Sequence, residues 1–572
     1  MQAHLSPISG VACLDRRLVA TAGYDNRVIL WDARTRRPIA RASHDHLANQ
    51  CAFSPDGTLL ATASSDHTAR LWRVPDLRLI AVLHGHDDDV EMVAFSADGT
   101  RVATASRDGV ARVFDLTGRL LHELRGHRAD VISVQWCEGD RAVVTTSDDG
   151  TVREWSTEDG SLLRTLELGG VETDTIVALP DGSLIAGNDA GELVVIRGGE
   201  ARRFPAHASG VKRLVYDAAR RCLVSLSYDR YVRVWTLGED GAPALAHEAL
   251  APAEVWMRSA AIDGDGRLVL GTFGSSYALY DPRDGRWDLA HVRDTPGVNA
   301  TLATADGVWS VGDAGVVRLD GAFVARLPSL CNFMVAWGGA VFTGGQTGEL
   351  FDARTGERVF ANGAPLNCGA VIDRGGRSAL VVGTYAGDGL VFERRGAEVA
   401  LIARVKLHDN AVKSLASDGP TLFSVCANTD AAWHDAATLG ALRVVAGAHE
   451  RIANGAACLA PGVFVSVSRD RALRIWRADG AVERVETPHD HSIKCVAVCG
   501  ETRRVATGSY DGRVAVWSFD TRRWEHDERV TTSGISSMAR GRGGGEFLAS
   551  SYDGVVYRMR ADGAVSGVGV SP

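Results

Sequence analysis

The chain has 572 residues, of which 45% are hydrophobic and 23% are charged, so it is long enough to bury two large cores. Its net charge of −9 argues against a general binder of nucleic acids or of anionic membranes. The sequence has no apolar run of about eighteen residues, so no membrane span is expected.

An aromatic residue recurs at a fixed spacing in the first part of the chain. Trp31, Trp72, Phe114 and Trp155 are 41, 42 and 41 residues apart, and each lies six residues after an aspartate. A repeat of this length is one supersecondary unit that buries its apolar faces only against neighbouring copies. The pattern therefore predicts an array of similar units.

The same interval extends over the rest of the chain. Trp235 lies two periods after Trp155, Trp476 lies six periods after Trp235, and Trp517 follows after 41 residues. One repeat without a clear motif fits into the first gap and five fit into the second. Met559 closes the last unit, so we count fourteen units in the chain.

Each unit has the pattern of β-strands. Residues 101–115 contain two alternating apolar runs joined by an Asp-Gly turn, which predicts a hairpin. In this third unit we expect four short strands, at 90–95, 102–106, 111–115 and 120–124. No long apolar period of 3.6 residues occurs, so little helix is expected.

These residues resemble the WD40 repeat family, whose signature is a Gly-His pair, a hydrophobic strand, an Asp in a tight turn and a closing Trp-Asp. The third unit carries the signature as Gly85-His86, Asp108 and Phe114-Asp115. Six further units fit at the same phase: His4, Asp25 and Trp31; His44, Asp66 and Trp72; His127, Asp149 and Trp155; His207, Asp229 and Trp235; His449, Asp470 and Trp476; His489, Asp511 and Trp517.

The resemblance implies an all-β protein of β-propellers, in which each unit is one four-stranded blade. Because a single ring holds about four to eight blades, fourteen units imply two rings. We predict seven blades in each, with eight plus six as the alternative, as in tandem WD40 propellers. The expected domains are 1–290 and 291–572, and the first few blades of the second are degenerate.

The resemblance also implies a structural tetrad of hydrogen-bonded side chains in each clear unit. An acid, a base and a hydroxyl could instead suggest catalysis, but an active site is needed once and this set recurs. A polar chain that ends on a buried indole N–H satisfies each member and fixes the turn. The predicted tetrad residues are His44, Thr62, Asp66 and Trp72; His86, Thr104 and Asp108; His127, Thr145, Asp149 and Trp155; His207, Ser225, Asp229 and Trp235; His449, Ser466, Asp470 and Trp476; His489, Thr507, Asp511 and Trp517.

The residue before each turn aspartate lies, in the family, on the rim of the top face, where partners often bind. Tyrosine and arginine dominate this position, and both residue types carry much of the energy of protein interfaces. The alternative is that an exposed turn simply tolerates large polar side chains. The predicted partner-binding residues are Tyr24, Ser65, Arg107, Asp148, Tyr228, Arg469, Tyr510 and Tyr552.

Residues 87–89 are three consecutive aspartates in a loop at the edge of the same face. A solvated loop is favoured over a metal site, because three adjacent carboxylates cannot converge on one ion without help from elsewhere. Cys495 and Cys499 lack the second pair that a zinc site needs. No metal and no cofactor are predicted.

Residues of about 240–448 keep the blade period but lose the tetrad. One interpretation is that a propeller core tolerates the loss of the motif. The other is that the divergent blades form a specialised face with a ligand pocket or catalytic centre. We favour the first, because these blades carry no recognisable nucleophile, metal or phosphate motif.

We therefore predict a non-catalytic WD40 scaffold that binds proteins or peptides on its propeller faces and helps to assemble a complex. The alternative is a small-ligand binder or enzyme with a site at the mouth of one propeller. Polar residues of the divergent blades converging on one central channel would favour the alternative. Nucleic acid and membranes are not expected as partners, and the oligomeric state stays open.

The cysteines and lysines bear on the compartment and the source. Ten cysteines are scattered singly, as in reduced cytosolic proteins, so we expect a cytoplasmic protein. Only four basic residues are lysines, Lys212, Lys406, Lys413 and Lys494, which suggests a GC-rich genome of bacterial type.

Overall fold

The computed structural model describes residues 3–396, 398–560 and 562–568. Within these ranges the chain has no helix, and its strands form fourteen four-stranded antiparallel sheets, each made of four consecutive strands. The all-β propeller prediction is thus confirmed. No helix in the described residues could cross a membrane.

The chain divides into two compact units, Met1–Asp294 and Thr295–Pro572. Each unit holds seven of the sheets, which we number as blades 1 to 7 and 8 to 14 in chain order. The predicted boundary after residue 290 lies in the segment that joins the last sheet of one unit to the first sheet of the next.

The strands of the first unit, blade by blade, are β1 Ile8–Leu14, β2 Leu18–Gly23, β3 Arg27–Asp32 and β4 Pro38–Ser43; β5 Ala48–Phe53, β6 Leu59–Ser64, β7 Ala69–Arg73 and β8 Arg78–Leu83; β9 Val90–Phe95, β10 Arg101–Ser106, β11 Val110–Asp115 and β12 Leu120–Arg125; β13 Val131–Cys137, β14 Ala142–Ser147, β15 Thr151–Ser156 and β16 Leu162–Glu167; β17 Thr173–Ala178, β18 Leu184–Asn188, β19 Glu192–Arg197 and β20 Glu200–Pro205; β21 Val211–Asp217, β22 Cys222–Ser227, β23 Tyr231–Leu237 and β24 Pro243–Leu250; β25 Val255–Ile262, β26 Leu268–Thr272, β27 Ala278–Asp281 and β28 Arg286–Asp288.

The strands of the second unit are β29 Val298–Ala303, β30 Val308–Gly312, β31 Val316–Leu319 and β32 Ala322–Arg326; β33 Cys331–Trp337, β34 Ala340–Gly345, β35 Glu349–Asp352 and β36 Arg358–Ala361; β37 Leu366–Asp373, β38 Ser378–Thr384, β39 Asp388–Arg395 and β40 Glu398–Lys406; β41 Val412–Ser417, β42 Thr421–Cys426, β43 Ala431–Asp435 and β44 Ala441–Val445; β45 Ala453–Ala460, β46 Val463–Ser468, β47 Ala472–Arg477 and β48 Val482–Glu486; β49 Ile493–Cys499, β50 Arg504–Ser509, β51 Arg513–Ser518 and β52 Arg523–Arg529; β53 Ile535–Arg540, β54 Phe547–Ser551, β55 Val556–Met559 and β56 Val565–Val568.

Both units are closed rings. In the first unit the innermost strands contact one another in the order β1, β5, β9, β13, β17, β21 and β25, and β25 and β26 return to β1. In the second unit the order is β29, β33, β37, β41, β45, β49 and β53, and β53 and β54 return to β29. Because no sheet borrows a strand from elsewhere, packing between neighbouring blades closes each ring.

The core of each ring lies between adjacent blades. Ala105 and Val113 of blade 3, for example, pack with Val134, Val143 and Trp155 of blade 4 in one buried cluster. Alternation at period 2 puts one set of side chains of each strand on each face, and both faces of a blade are covered by neighbours. This explains why the second and third strands are buried almost throughout.

The blades that lack the sequence motif form the same four-stranded sheets. Phe342 and Phe392 of blades 9 and 10 are fully buried in one cluster, and Trp309 fills the core of blade 8. Large aromatic side chains thus supply the apolar contact between these blades. These blades therefore keep the sheet geometry and the packed core of a propeller without the tetrad, as the first interpretation of the divergent blades requires.

Candidate functional site

The predicted tetrad side chains are joined as a hydrogen-bonded chain in blades 2, 4 and 6. In blade 2, the indole N–H of Trp72 donates to Thr62 Oγ1 at 2.8 Å, and this oxygen lies 2.7 Å from His44 Nε2. His44 Nδ1 lies 2.8 Å from Asp66 Oδ2. A carboxylate only accepts, so Nδ1 carries the proton and Nε2 accepts from the threonine hydroxyl. Burial lowers the pKa of His44, which keeps the ring neutral.

Equivalent contacts join the members in blades 4 and 6, and also in blade 1. The shared contacts are His to Asp, His to hydroxyl, and Trp to hydroxyl; they involve His127, Asp149, Thr145 and Trp155, then His207, Asp229, Ser225 and Trp235, and then His4, Asp25, Thr21 and Trp31.

In blades 3 and 12 an arginine is inserted between the histidine and the aspartate. Arg112 Nη1 donates to His86 Nδ1 at 2.7 Å and to Asp108 Oδ2 at 2.6 Å, while His86 and Asp108 are 3.6 Å apart. The inserted donor makes Nδ1 an acceptor, so the proton of His86 is on Nε2 and is donated to Thr104 Oγ1 at 2.9 Å. The histidine tautomer is thereby reversed relative to blade 2.

Blade 12 repeats this arrangement with Arg474 between His449 and Asp470. Trp476 donates to Ser466 Oγ at 2.7 Å, and that oxygen lies 2.8 Å from His449 Nε2.

Blade 13 departs from the predicted tetrad. His489 Nε2 lies 2.8 Å from Thr507 Oγ1, but the buried His489 Nδ1 has no hydrogen-bond partner in the described residues. Asp511 turns instead to its neighbour Ser509, whose hydroxyl donates to it. The predicted link from His489 to Asp511 is therefore wrong, and the carboxylate accepts from Ser509 in place of the histidine.

Two further blades, 11 and 14, hold parts of the network that the tetrad prediction did not include. In blade 11, His408 Nε2 lies 2.8 Å from Ser424 Oγ, although no aspartate follows at the usual place. In blade 14, Asp553 accepts from Thr531 at 2.5 Å and from the hydroxyl of Tyr557 at 2.8 Å. The signal for blade 11 was a histidine 41 residues before His449.

One backbone hydrogen bond defines the residue before the turn in all blades. The N–H of this residue donates to the carbonyl just before the inner strand of the same blade; the bond from Arg107 to Asp89, for example, is 2.9 Å. We call it the turn position. Its occupants in chain order are Tyr24, Ser65, Arg107, Asp148, Asp189, Tyr228 and Phe273, then Asp313, Gln346, Tyr385, Ala427, Arg469, Tyr510 and Tyr552. The six that the sequence missed are in blades without the turn aspartate.

A β-bulge defines a second position in every blade. Pairing between the first two strands is interrupted just after the first residue of the inner strand, so its second residue is left out of the ladder; in blade 7 the interruption extends over residues 256–259. We call this the bulge position. Its occupants are Ser9, Asn49, Glu91, Ile132, Asp174, Lys212 and Trp256, then Asn299, Asn332, Asn367, Lys413, Asn454, Lys494 and Ser536.

The two positions lie at the same end of each sheet, because the second strand ends where the antiparallel inner strand begins. The turn and bulge residues of one unit therefore surround one end of its ring, and we call them the collar of that unit. Asn49 of the first collar shows the contact between the two sets, since its Nδ2 donates to Ser65 Oγ at 3.1 Å.

Charged side chains neutralise one another in the collar of the first unit. Arg107 donates to Glu91 and to Asp130, and Arg258 donates to Glu91 at 2.7 Å. Glu91 is buried and the Arg107 side chain is 13% exposed, so these ion pairs are largely withdrawn from water. Arg258 also lies over the Trp256 ring, with its guanidinium carbon 5.7 Å from the ring centre.

A second group of charges in this collar surrounds Lys212. Its Nζ donates to Asp174 at 2.6 Å and to Asp189, and it lies 4.9 Å from the centre of the Tyr228 ring. Burial raises the pKa of Asp174 to about 7 and that of Glu172 to about 8, and the neighbouring carboxylates act in the same direction. The carboxylates of this collar thus outnumber its cations.

The collar of the second unit surrounds a cavity of about 420 Å³. The cavity is lined by the inner strands of all seven blades and by every bulge residue of the unit, so it is the central channel of the ring. Asparagine occupies four of the seven bulge positions and lysine two. Among the described residues, the lining includes Lys413, Lys494 and Arg540 but no carboxylate.

The asparagines of this collar connect neighbouring blades. Asn332, Asn367 and Asn454 each donate from Nδ2 to the carbonyl of the first inner-strand residue of the next blade, at 2.8–2.9 Å. Asn299 donates to Asp313 Oδ1 at 2.9 Å instead, and burial raises the pKa of Asp313 to about 7. The bulge position therefore contributes both to the channel lining and to the packing of the ring.

The predicted partner-binding residues differ in their exposure to solvent. Tyr24, Arg107, Asp148, Tyr228, Arg469 and Tyr510 are half-buried around the two collars. Ser65 is 3% exposed and Tyr552 is 8% exposed, so the expected placement on an open rim is wrong for these two. Ser65 bonds to Asn49, and Tyr552 lines the central cavity of its unit.

The acidic loop is only partly solvated. Asp87 is exposed, but Asp88 and Asp89 are buried, which contradicts the expectation of a solvated run. His67 of the preceding blade, Asp88 and Asp89 place potential ligand atoms within 4.8 Å of one another. The loop folds inwards because Asp89 supplies the carbonyl that accepts from the turn position of blade 3.

Comparison with known proteins gives matches to parts of the chain. The family model described as WD domain, G-beta repeat matches residues 1–32, 39–73, 77–115, 118–156, 198–236 and 482–518. Five of these six segments are in the first unit and one is in the second. The sequence match is thus concentrated in the first unit.

Several curated proteins are similar to short stretches of the chain. A ribosome biogenesis protein WDR12 homolog of Culex quinquefasciatus is 32% identical over 14% of this chain and 20% of its own length. Transducin beta-like protein 3 of Mus musculus is 39% identical over 12% of this chain and 8% of its own. The target of rapamycin complex subunit LST8 of Bos taurus is 40% identical over 11% and 18%. The matched stretch spans a fifth or less of each of these relatives.

Proposed function

The chain contains six WD40 repeats, and on this premise we propose that it is a non-catalytic scaffold that binds proteins or peptides and helps to assemble a complex. A closed ring with its loops fixed by buried hydrogen bonds presents side chains in constant positions. Binding to such a surface costs little ordering of the protein, which favours recognition.

The observation that carries this proposal is the group of aromatic and arginine side chains at the collar of the first unit. Tyr24 meets Trp256 edge to face at 5.1 Å, and Trp256 stacks on Phe273 at 5.4 Å. Trp256 and Phe273 are buried, so the half-buried Tyr24 and Arg258 are the accessible members of this group. Arg258 lies over the same indole and approaches the Tyr24 hydroxyl at 3.5 Å. Tyr, Trp and Arg are the residues that most often carry binding energy at interfaces.

The names of similar proteins support an assembly role. One is a subunit of a complex by its printed name, and another is a ribosome biogenesis protein. Because each match covers a small part of either chain, neither pathway is transferred to this protein.

The test is cross-linking mass spectrometry after affinity purification of the full chain from its native cells. We compare wild type with a Tyr24→Ala, Tyr228→Ala double variant, in which both changed residues occupy turn positions of the first collar. The matched control is Tyr216→Ala, which removes a half-buried tyrosine near the far end of β21 in the same unit. We expect a stoichiometric partner with wild type and control that is lost with the double variant. Retention of the partner by the double variant would contradict binding at this collar.

A small-ligand site at the mouth of one ring is the second candidate, and the cavity of the second unit favours it. Polar residues of the divergent blades converge there together with polar residues of the regular blades, which is close to the arrangement expected of this alternative.

We further propose that the protein is cytoplasmic, with support from ten free cysteines. The preference for arginine supports a bacterial source, although the relatives named above are eukaryotic. Nucleic acids and membranes are not proposed as partners because the chain has a net charge of −9. Fractionation of native cells would test the location.

A further inference from the structure

We propose that the central cavity of the second unit binds a small polyanion that carries carboxylate or phosphate groups, with Lys413 and Lys494 as its charged contacts. The site is distinct from the protein-binding collar of the first unit.

The use of lysine in this chain is the first argument. The sequence has 62 basic residues, and only four are lysines. Three of the four, Lys212, Lys413 and Lys494, occupy bulge positions, and each ammonium group lies 4.9–5.8 Å from the centre of a tyrosine ring. Lysine offers a compact point charge on a flexible stem, whereas arginine is a planar fork. Lysine is therefore concentrated at the bulge position, in a chain that otherwise uses arginine.

The first unit shows what neutralises such a lysine. The carboxylates that receive Lys212 occupy the bulge and turn positions of the preceding blade, as Asp174 and Asp189. For Lys413 these two positions hold Asn367 and Tyr385 instead.

For Lys494 the two positions hold Asn454 and Arg469, which provide no negative charge. No ion pair of Lys494 is found in the described part of the chain, where its ammonium group lies 5.8 Å from the centre of the Tyr510 ring. At Lys494 the second unit thus keeps the lysine of this device without the carboxylates that accompany Lys212 in the first unit.

The cavity itself is suited to an anion. Two lysines and four asparagines line it, and no described lining residue is acidic. Arg540 also lines it but is paired with Glu501 at 2.8 Å. Its volume of about 420 Å³ is within the usual range for small-molecule sites. In a chain of net charge −9, a cavity lined by two lysines and no described carboxylate attracts anions by its local field. An anion with two or more charged groups can approach both lysines, which come from blades separated by one other blade.

The experiment is isothermal titration of the full chain in a low-salt buffer free of phosphate. The probes are citrate, which carries carboxylates, and tripolyphosphate, which carries phosphates. We expect wild type to bind at least one probe, and added salt to weaken the binding. The probe that binds more tightly identifies the preferred chemistry.

The decisive variant is Lys413→Met with Lys494→Met, which should raise the dissociation constant roughly 10- to 100-fold. The matched control is Lys406→Met, which removes the same charge from the outer strand β40 and should bind as wild type. A second variant, Asn367→Asp, supplies the carboxylate that the first unit has at this position and should weaken binding without removing a lysine. Thermal unfolding without ligand establishes that each variant is folded.

Failure of both probes to bind wild type would overturn the proposal. Equal binding by wild type and the double lysine variant would also overturn it, because the charged contacts would then lie elsewhere. The result is independent of the partner experiment, since the changed residues belong to a different unit.

Discussion

Removal of the Asp470 carboxylate tests the arginine-bridged tetrad of blade 12. Asp470 Oδ2 accepts from Arg474 Nη1 at 2.6 Å, and this nitrogen also donates to His449 Nδ1 at 2.7 Å. The carboxylate further accepts from the N–H groups of Glu450 and Ala472, each at 3.0 Å. Asp470→Ala therefore leaves several donors without their acceptor.

The largest part of the lost stability comes from Arg474, which is left as a buried cation without its carboxylate partner. The Arg474 side chain is 8% exposed, and removal of one partner from such a buried pair costs about 3–5 kcal/mol. Glu450 lies 4.0 Å from Arg474 and compensates for part of the lost charge. We expect a loss near the lower end, about 3 kcal/mol of unfolding free energy.

The neighbouring blade supplies a matched control. Asp511 occupies the same place in blade 13, but it accepts from Ser509 and from the N–H of Arg513 and not from His489. Asp511→Ala should therefore cost about 1 kcal/mol, the usual net value of a hydrogen bond. A difference of about 2 kcal/mol between the two variants is expected.

The assay is urea unfolding of the full chain. Unfolding is monitored by hydrogen exchange, so that the second unit is observed separately. Arg474→Met in the Asp470→Ala background should recover part of the loss, because it removes the unpaired cation. Equal losses for Asp470→Ala and Asp511→Ala, or no recovery in the double variant, would refute the bridging role of Arg474.

The pH dependence gives an independent check. Burial opposes the ionisation of Asp470, but the charge of Arg474 and the hydrogen bond from the backbone N–H of Glu450 favour the carboxylate, and the pKa of Asp470 is held well below its usual value. Its contribution to stability is complete above the unfolded pKa of about 3.9 and is lost as the pH falls through the lower folded pKa. The difference between wild type and Asp470→Ala should therefore stay constant from neutral pH down to about pH 4.

Three further predictions concern both units. Burial raises the pKa of Asp313 to about 7, so the unfolding free energy should fall as the pH rises from about 4 to about 7. Asp313→Asn should flatten this slope in urea titrations. Asn454→Ala removes the donor to the Ile493 carbonyl and should cost about 1–2 kcal/mol in thermal melts, whereas a neutral result would contradict the blade-to-blade contact. The fragment 1–294 should melt cooperatively and above 1–290, because the shorter one lacks backbone bonds that complete blade 7; equal melting points would count against this boundary.

The sequence predicted the strands of the regular blades closely. In blade 3 the expected strands 90–95, 102–106, 111–115 and 120–124 differ from those observed by at most one residue at either end. Alternation and the Asp-Gly turn are local signals, and the neighbouring blades only reinforce them. The same signals fixed the interval of the repeat.

The details of the polar networks were not predictable in this way. Arg112 and Arg474 are ordinary strand residues in the sequence, yet each reaches between a histidine and an aspartate more than twenty residues apart. Asp511 likewise accepts from Ser509 and not from His489, and only the packing of the loop decides between these two donors. Sequence spacing shows which groups can meet, and competition among nearby donors decides which of them do.

The sequence by itself determined the fold class, because the 41-residue interval and the period-2 alternation are encoded locally in each repeat. Only the tertiary structure decided which bulge residues lie together around the central cavity of a ring. The bulge residues are scattered over the whole chain and differ in type from blade to blade, and ring closure alone brings Asn367, Lys413, Asn454 and Lys494 around one cavity. The physical reason is that a closed ring places the same position of each blade around one channel, so residues distant in sequence line the same cavity.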